Sequence, residues 1–112
     1  MKASGGDIIA DLVSVLEARR EADPEQSYVA SLYARGLNRI LEKVGEETTE
    51  VILAAKDAQP GRRDDALVGE VADLWFHSLV MMVHLEQDPR WVLEALAQRF
   101  GTSGHEEKAR RR

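Results

Sequence analysis

Apolar residues recur at helical spacing along almost the whole chain. Ile8, Ile9, Leu12, Val13 and Leu16 follow an Asp7 cap, and the run fades near Ala22, where Asp23-Pro24 breaks it. Ser27 is placed to cap a short helix reaching Arg35. Leu37, Ile40, Leu41, Val44, Thr48, Val51, Ile52 and Ala55 then share one arc of about 120° at 100° per residue. That arc predicts a strongly amphipathic helix over 37–57. Residues 58–65 read as a polar loop with turn chemistry, and a helix over 66–86 follows. After a Gln87-Asp88-Pro89 break, Trp91, Val92, Leu93, Leu96 and Phe100 support a last helix, which Gly101 stops. No stretch alternates with period two long enough to make a sheet, and there is no internal repeat. The pattern predicts an all-α bundle of about four to five helices, built on two long central ones.

Length and composition narrow this further. At 112 residues the chain fits a single domain, 1–112, with a modest core, so self-association is a natural supplement. The ends, 1–6 and 104–112, are expected to be flexible. The basic close Lys108-Ala109-Arg110-Arg111-Arg112 reads as a solvated end. With no cysteine there are no disulfides, thiolate nucleophiles or Cys-based zinc sites, which suits a reducing compartment. Met1 to Gly6 lacks the apolar core of a signal peptide, and no uninterrupted apolar run approaches the roughly 20 residues of a membrane span. A cytoplasmic protein away from membranes is expected. Net charge of −5 disfavours nucleic acid as a partner, but not an anionic substrate, because bound cations can invert a site's local sign.

The candidate chemistry lies in two acidic clusters. Glu46, Glu47 and Glu50 stand three and four residues apart on the first long helix, so they converge on one arc at the edge of its apolar stripe, with Lys43. The second long helix is apolar almost all round, with Leu67, Val71, Leu74, Trp75, Phe76 and Leu79 among its apolar residues. Glu70, Asp73, His77 and His84 nevertheless fall within about 60° of one another on it. Such a helix is expected to be buried on most sides, where an unpaired charge costs several kcal/mol and needs a partner or a metal. Facing one another, the two stripes make a hard-oxygen cation site. Mg²⁺ suits it, because it takes a few carboxylates, keeps waters and binds substrate phosphates; Mn²⁺ can substitute. Such ions bridge phosphates and activate water for in-line attack. Taken singly, each feature has a plainer reading: Glu46, Glu47 and Glu50 as a solvated face, Glu70 and Asp73 as ion-pair partners. His77 and His84 read as hydrogen-bonded structural or interface histidines, and Trp75, Phe76, Met81 and Met82 as core. Only the combination favours a metal site. There is no Gly-rich phosphate loop, His-Glu-x-x-His or nucleophile triad.

The stretch Lys43-Val44-Gly45-Glu46-Glu47-Thr48-Thr49-Glu50-Val51, with Glu70-Val71-Ala72-Asp73-Leu74, resembles the Glu-Glu-x-x-Glu … Glu-x-x-Asp signature of the all-α nucleoside triphosphate pyrophosphatases. That superfamily includes MazG and the dimeric dUTPases. Within it the chain is most similar to the phosphoribosyl-ATP pyrophosphohydrolases. Three segments carry that likeness: the run from Asp23-Pro24 through Tyr28 to Lys43, the helix Glu70 to Val80, and the close Arg99-Phe100-Gly101-Thr102-Ser103-Gly104-His105-Glu106-Glu107-Lys108. Together they cover about residues 7–110. Thr48 stands where that family more often has Ala, and the loop around Pro60-Gly61-Arg62-Arg63 contributes nothing to the likeness.

The resemblance implies a MazG-like bundle completed by dimerisation. It implies a hydrolase that cuts phosphoribosyl-ATP between its α and β phosphates, giving phosphoribosyl-AMP and pyrophosphate in the second step of histidine biosynthesis. Glu46, Glu47, Glu50, Glu70 and Asp73 would hold Mg²⁺, with Glu46 or Glu47 alternatively orienting or deprotonating the attacking water. Lys43 would contact a phosphate or Glu47, and Arg35, Asn38 and Arg39 the substrate's ribose phosphates. Without cysteine the chain would be the single-activity form, not fused to a cyclohydrolase. Two rivals stand beside this reading. One is a house-cleaning nucleoside triphosphate pyrophosphatase of the same fold, and the other a non-catalytic helical dimerisation module.

Overall fold

The computed structural model describes residues 5–101, and among them the chain forms five α-helices, one short 3₁₀ turn and no strand. Helix α1 spans Gly5–Ala18 and runs into the 3₁₀ turn Arg19–Glu21, so the first periodic segment ends as a tighter coil before Pro24. Helix α2 spans Tyr28–Arg35, and Ser27 caps it by accepting a hydrogen bond from the Ala30 N–H. Gly36, at φ +94°, ends α2 and starts α3, a backbone conformation that side chains rarely adopt.

Helix α3 is Leu37–Asp57 and α4 is Asp65–His84, capped by Asp64, whose carboxylate accepts from the Leu67 N–H. The C-terminus of α4 falls two residues short of the periodic pattern, because Glu86 adopts φ 57°. The N–H groups of Leu85, Glu86 and Gln87 then turn back onto the carbonyls of Met81, Val83 and Met82. Helix α5 is Arg90–Phe100, ended at Gly101. The terminal segments expected to be flexible, apart from Gly5 and Gly6 in α1, and the Ser-Gly-x-x-Glu-Lys close lie outside the described residues.

Helices α3 and α4 pack antiparallel as the central pair: Glu50 meets Glu70 at one level, and Glu47 meets His77 further along. Their inner faces join α1 and α2 around Leu16, Leu32, Ile40, Val80 and Val83. Tyr33 seals the edge, donating its hydroxyl to the Leu16 carbonyl at 2.9 Å. Burial pushes its phenol up to about 12, the Arg20 charge pulling the other way and the Glu17 charge adding to the rise. Because Ile40 is fully buried in this cluster, Ile40→Ala is expected to destabilise folding by about 2–5 kcal/mol, read as a lower denaturant midpoint. The neighbouring Leu41, on the exposed side of α3, should tolerate the same change far better.

Helix α4 departs from expectation in one respect. Its apolar surround predicts burial on most sides, yet only His77, Val80 and Val83 are buried, and Trp75 is 61% exposed. The first three helices cover one flank alone. By length and composition α4 is also apolar enough to cross a membrane, although Glu70, Asp73 and His77 interrupt every long apolar run. That stripe is directed at α3, the placement of a core helix whose remaining flank is bare.

Candidate metal and substrate site

The site is built where the acidic arc of α3 meets the thin polar stripe of α4. Glu47, Glu70 and Asp73 each bring a carboxylate oxygen within 4.8 Å of the others. Glu47 is 5% exposed, Glu70 half-buried and Asp73 open to solvent, so the cluster has a closed floor and an accessible mouth. Three carboxylates with a water-accessible side fit a small divalent cation that keeps several waters.

Two electrostatic observations point the same way. The nearby Glu50 carboxyl can share a proton with Glu70. This, partial burial, and then the charges of Glu50, Asp73 and Glu47 push the Glu70 carboxyl above the ordinary carboxylate value. In addition, Glu70 Oε2 is buried without a hydrogen-bond partner, an acceptor that a cation would satisfy.

Glu47 is held from behind. Its Oε1 lies 2.9 Å from His77 Nδ1 and 4.0 Å from Lys43 Nζ. His77, also 5% exposed, has the same Nδ1 3.0 Å from the Asp73 carbonyl, while its Nε2 lies 2.9 Å from the Tyr28 hydroxyl. The Tyr28 and Phe76 rings both meet the imidazole edge-on, with centroids 5.9 and 5.2 Å away.

Of the acids singled out on α3, Glu47 therefore enters the cluster and Glu50 stands beside Glu70. Glu46, by contrast, is exposed and lies 3.6 Å from Arg39. Arg39 also donates to Glu42 at 3.1 Å, and its Nε is buried with no acceptor. Arg35 and Asn38 are exposed on either side of the α2–α3 junction. His84 lies outside the cluster, stacked on Tyr33 at 5.8 Å. Tyr28 lies in a run that carries the family likeness, but spacing and residue type alone do not place its hydroxyl on His77. His77 was legible only as a hydrogen-bonded histidine on the acidic stripe.

A family model described as phosphoribosyl-ATP pyrophosphohydrolase matches residues 9–100. The match reaches into all five helices and takes in both acid clusters, which removes the scaffold reading. The chain belongs to the phosphoribosyl-ATP pyrophosphohydrolase family, hydrolases of a phosphoric anhydride.

Proposed function

We propose that the chain hydrolyses phosphoribosyl-ATP to phosphoribosyl-AMP and pyrophosphate, the second step of histidine biosynthesis, in the cytoplasm and with Mg²⁺ at the acid cluster. Glu47, Glu70 and Asp73 would hold the ion, with Glu50 completing the set. When bound, Mg²⁺ neutralises phosphate charge and makes a coordinated water a better nucleophile.

The observation that carries this reading is the pairing of two unmet groups. Among the described residues, the buried side-chain atoms without partners are an acceptor, Glu70 Oε2, and a donor, Arg39 Nε. An acceptor waiting for a cation and a donor waiting for an anion suit a metal-bound polyphosphate. Arg39 stands eight residues from Glu47 on α3, about 12 Å along the axis at the rise of an α-helix, a separation an extended phosphorylated nucleotide can span. Lys43 lies between them on the same arc, free to meet phosphate while it neighbours Glu47. Arg35 and Asn38 are open to the substrate's ribose phosphates. Of the two candidates for taking a proton from water, Glu47 stands in the cluster with Oε1 against His77, while Glu46 stands outside it, 3.6 Å from Arg39.

The bare flank of α4 belongs to a second copy of the chain. Ile9, Trp75, Leu79, Met82, Leu93 and Leu96 line an apolar groove of about 360 Å³ between α1, α4 and α5. With Trp75, Val92, Leu93 and Leu96 exposed beside it, this apolar groove is the face offered to that copy.

The test is pyrophosphate release with Mg²⁺ from phosphoribosyl-ATP, beside a panel of ordinary and modified nucleoside triphosphates. Strong preference for phosphoribosyl-ATP, abolished by chelator, is expected. Preference for another triphosphate would move the substrate pocket to the house-cleaning branch.

A further inference from the structure

We infer that Tyr28 and His77 are positioning residues: they lock the Glu47 carboxylate in one orientation, so that it faces Glu70 and Asp73 ready to take a cation. The inference rests on the proposed cation site and adds a role for α2, which contributes no acid to it.

The hydrogen-bond directions are fixed by the partners. The Asp73 carbonyl and Glu47 Oε1, both acceptors, lie 3.0 and 2.9 Å from His77 Nδ1, so this nitrogen carries the hydrogen. That hydrogen goes to the Asp73 carbonyl of α4, and the Glu47 carboxylate of α3 lies against the same nitrogen at 2.9 Å, so the ring sits between two cluster members. The remaining ring nitrogen, Nε2, meets the Tyr28 hydroxyl at 2.9 Å. The imidazole is thus held at both nitrogens, and Glu47 is held at Oε1 by the ring and, at longer range, by Lys43. Its other oxygen is left for a ligand.

Tyr28 is itself fixed. It is the first residue of α2, following the Ser27 cap, and its carbonyl accepts from Ser31 Oγ at 2.6 Å. The start of α2 therefore sets the ring that sets the carboxylate. Glu47 and His77 are both buried, so losing the contact between them leaves a buried polar group short of a partner. Tyr28, 54% exposed, holds the outer nitrogen of the ring from the solvent side. A glutamate without this grip must be ordered at the moment of binding, and partners of this kind shift metal affinity by 10–100-fold.

The experiment is Mn²⁺ binding to the full chain without substrate, read from the electron paramagnetic resonance of free Mn²⁺, beside the Mg²⁺ dependence of turnover. Tyr28→Phe keeps the ring and removes only the hydroxyl. It should bind Mn²⁺ about tenfold more weakly, and need correspondingly more Mg²⁺ for half-maximal rate, while kcat at saturating Mg²⁺ stays within a few-fold. His77→Leu should lose about a hundredfold, and His77→Asn, which keeps a donor near Nδ1, should recover part of it. Thermal melts identify any variant that has lost its fold, and Tyr28→Phe carries the decision if His77→Leu is one. Unchanged Mn²⁺ affinity in folded Tyr28→Phe and His77→Asn, with Glu47→Gln still impaired, overturns the positioning role and leaves the cation site standing. No Mn²⁺ binding by the unaltered protein overturns both.

Discussion

Glu70→Gln is expected to lower Mg²⁺-dependent turnover about 10³-fold while the metal-free protein melts at a higher temperature. The opposed signs come from one cause. Glu70 sits half-buried among Glu47, Glu50 and Asp73, with Oε2 unpartnered, so its charge is unfavourable until a cation arrives. Its folded-state pKa is raised above the unfolded value, chiefly by the Glu50 carboxyl. Above the folded value both states are ionised and the folded state bears the full cost of the charge. As pH falls through the folded value toward the ordinary one, the folded state takes up a proton first, and stability rises. Metal-free protein should therefore gain stability on mild acidification. Glu70→Gln should flatten that rise, and saturating Mg²⁺ should flatten it as well by taking the proton's place. Melting curves across the acidic range, with and without Mg²⁺, check this. A variant that melts lower without metal and keeps its turnover would sink the reading of Glu70 as a metal ligand.

The legible and illegible parts of this molecule divide on physical lines. Helix α3 was readable to the residue because its apolar arc, the preceding Gly36 and the polar loop after it all agree on the same bounds. The acids on α3 and α4 were readable as two stripes because spacing of three and four residues decides which side chains share a face. Which adjacent acid points inward was not. Glu46 and Glu47 differ by about 100° around the helix, and the choice depends on where α4 lies and on the pull of Arg39 against that of His77. The Tyr28 contact spans 49 positions, and only the packing of α2 against the central pair creates it. The apolar surround of α4 predicts burial on most sides, and the single chain does not supply it, because periodicity does not say what covers an apolar face. Within one copy of this chain, little does.

That bare flank underlies the second large effect. Trp75→Glu is expected to convert a dimer to a monomer, weakening association at least a hundredfold, or about 2.7 kcal/mol. Trp75 is 61% exposed at the rim of the α1–α4–α5 groove, and Val92, Leu93 and Leu96 of α5 are exposed beside it. Helix α5 has no buried residue of its own, so its apolar face finds few partners within a single copy. Pairing two such faces would cover the tryptophan, the groove and the apolar side of α5 together. A stable pair needs about 800 Å² from each partner. A glutamate at the centre of that contact would meet apolar surface from both copies, and its desolvation would go uncompensated. Light scattering after size exclusion should show a dimer for the unaltered protein and for Glu70→Gln, whose change lies on the α3-facing stripe, and a monomer for Trp75→Glu. The melting temperature should rise with protein concentration in the dimeric forms and stay flat in the monomeric one. An unaltered chain that is monomeric at micromolar concentration, with a melt independent of concentration, would show that α4 tolerates its exposed flank alone.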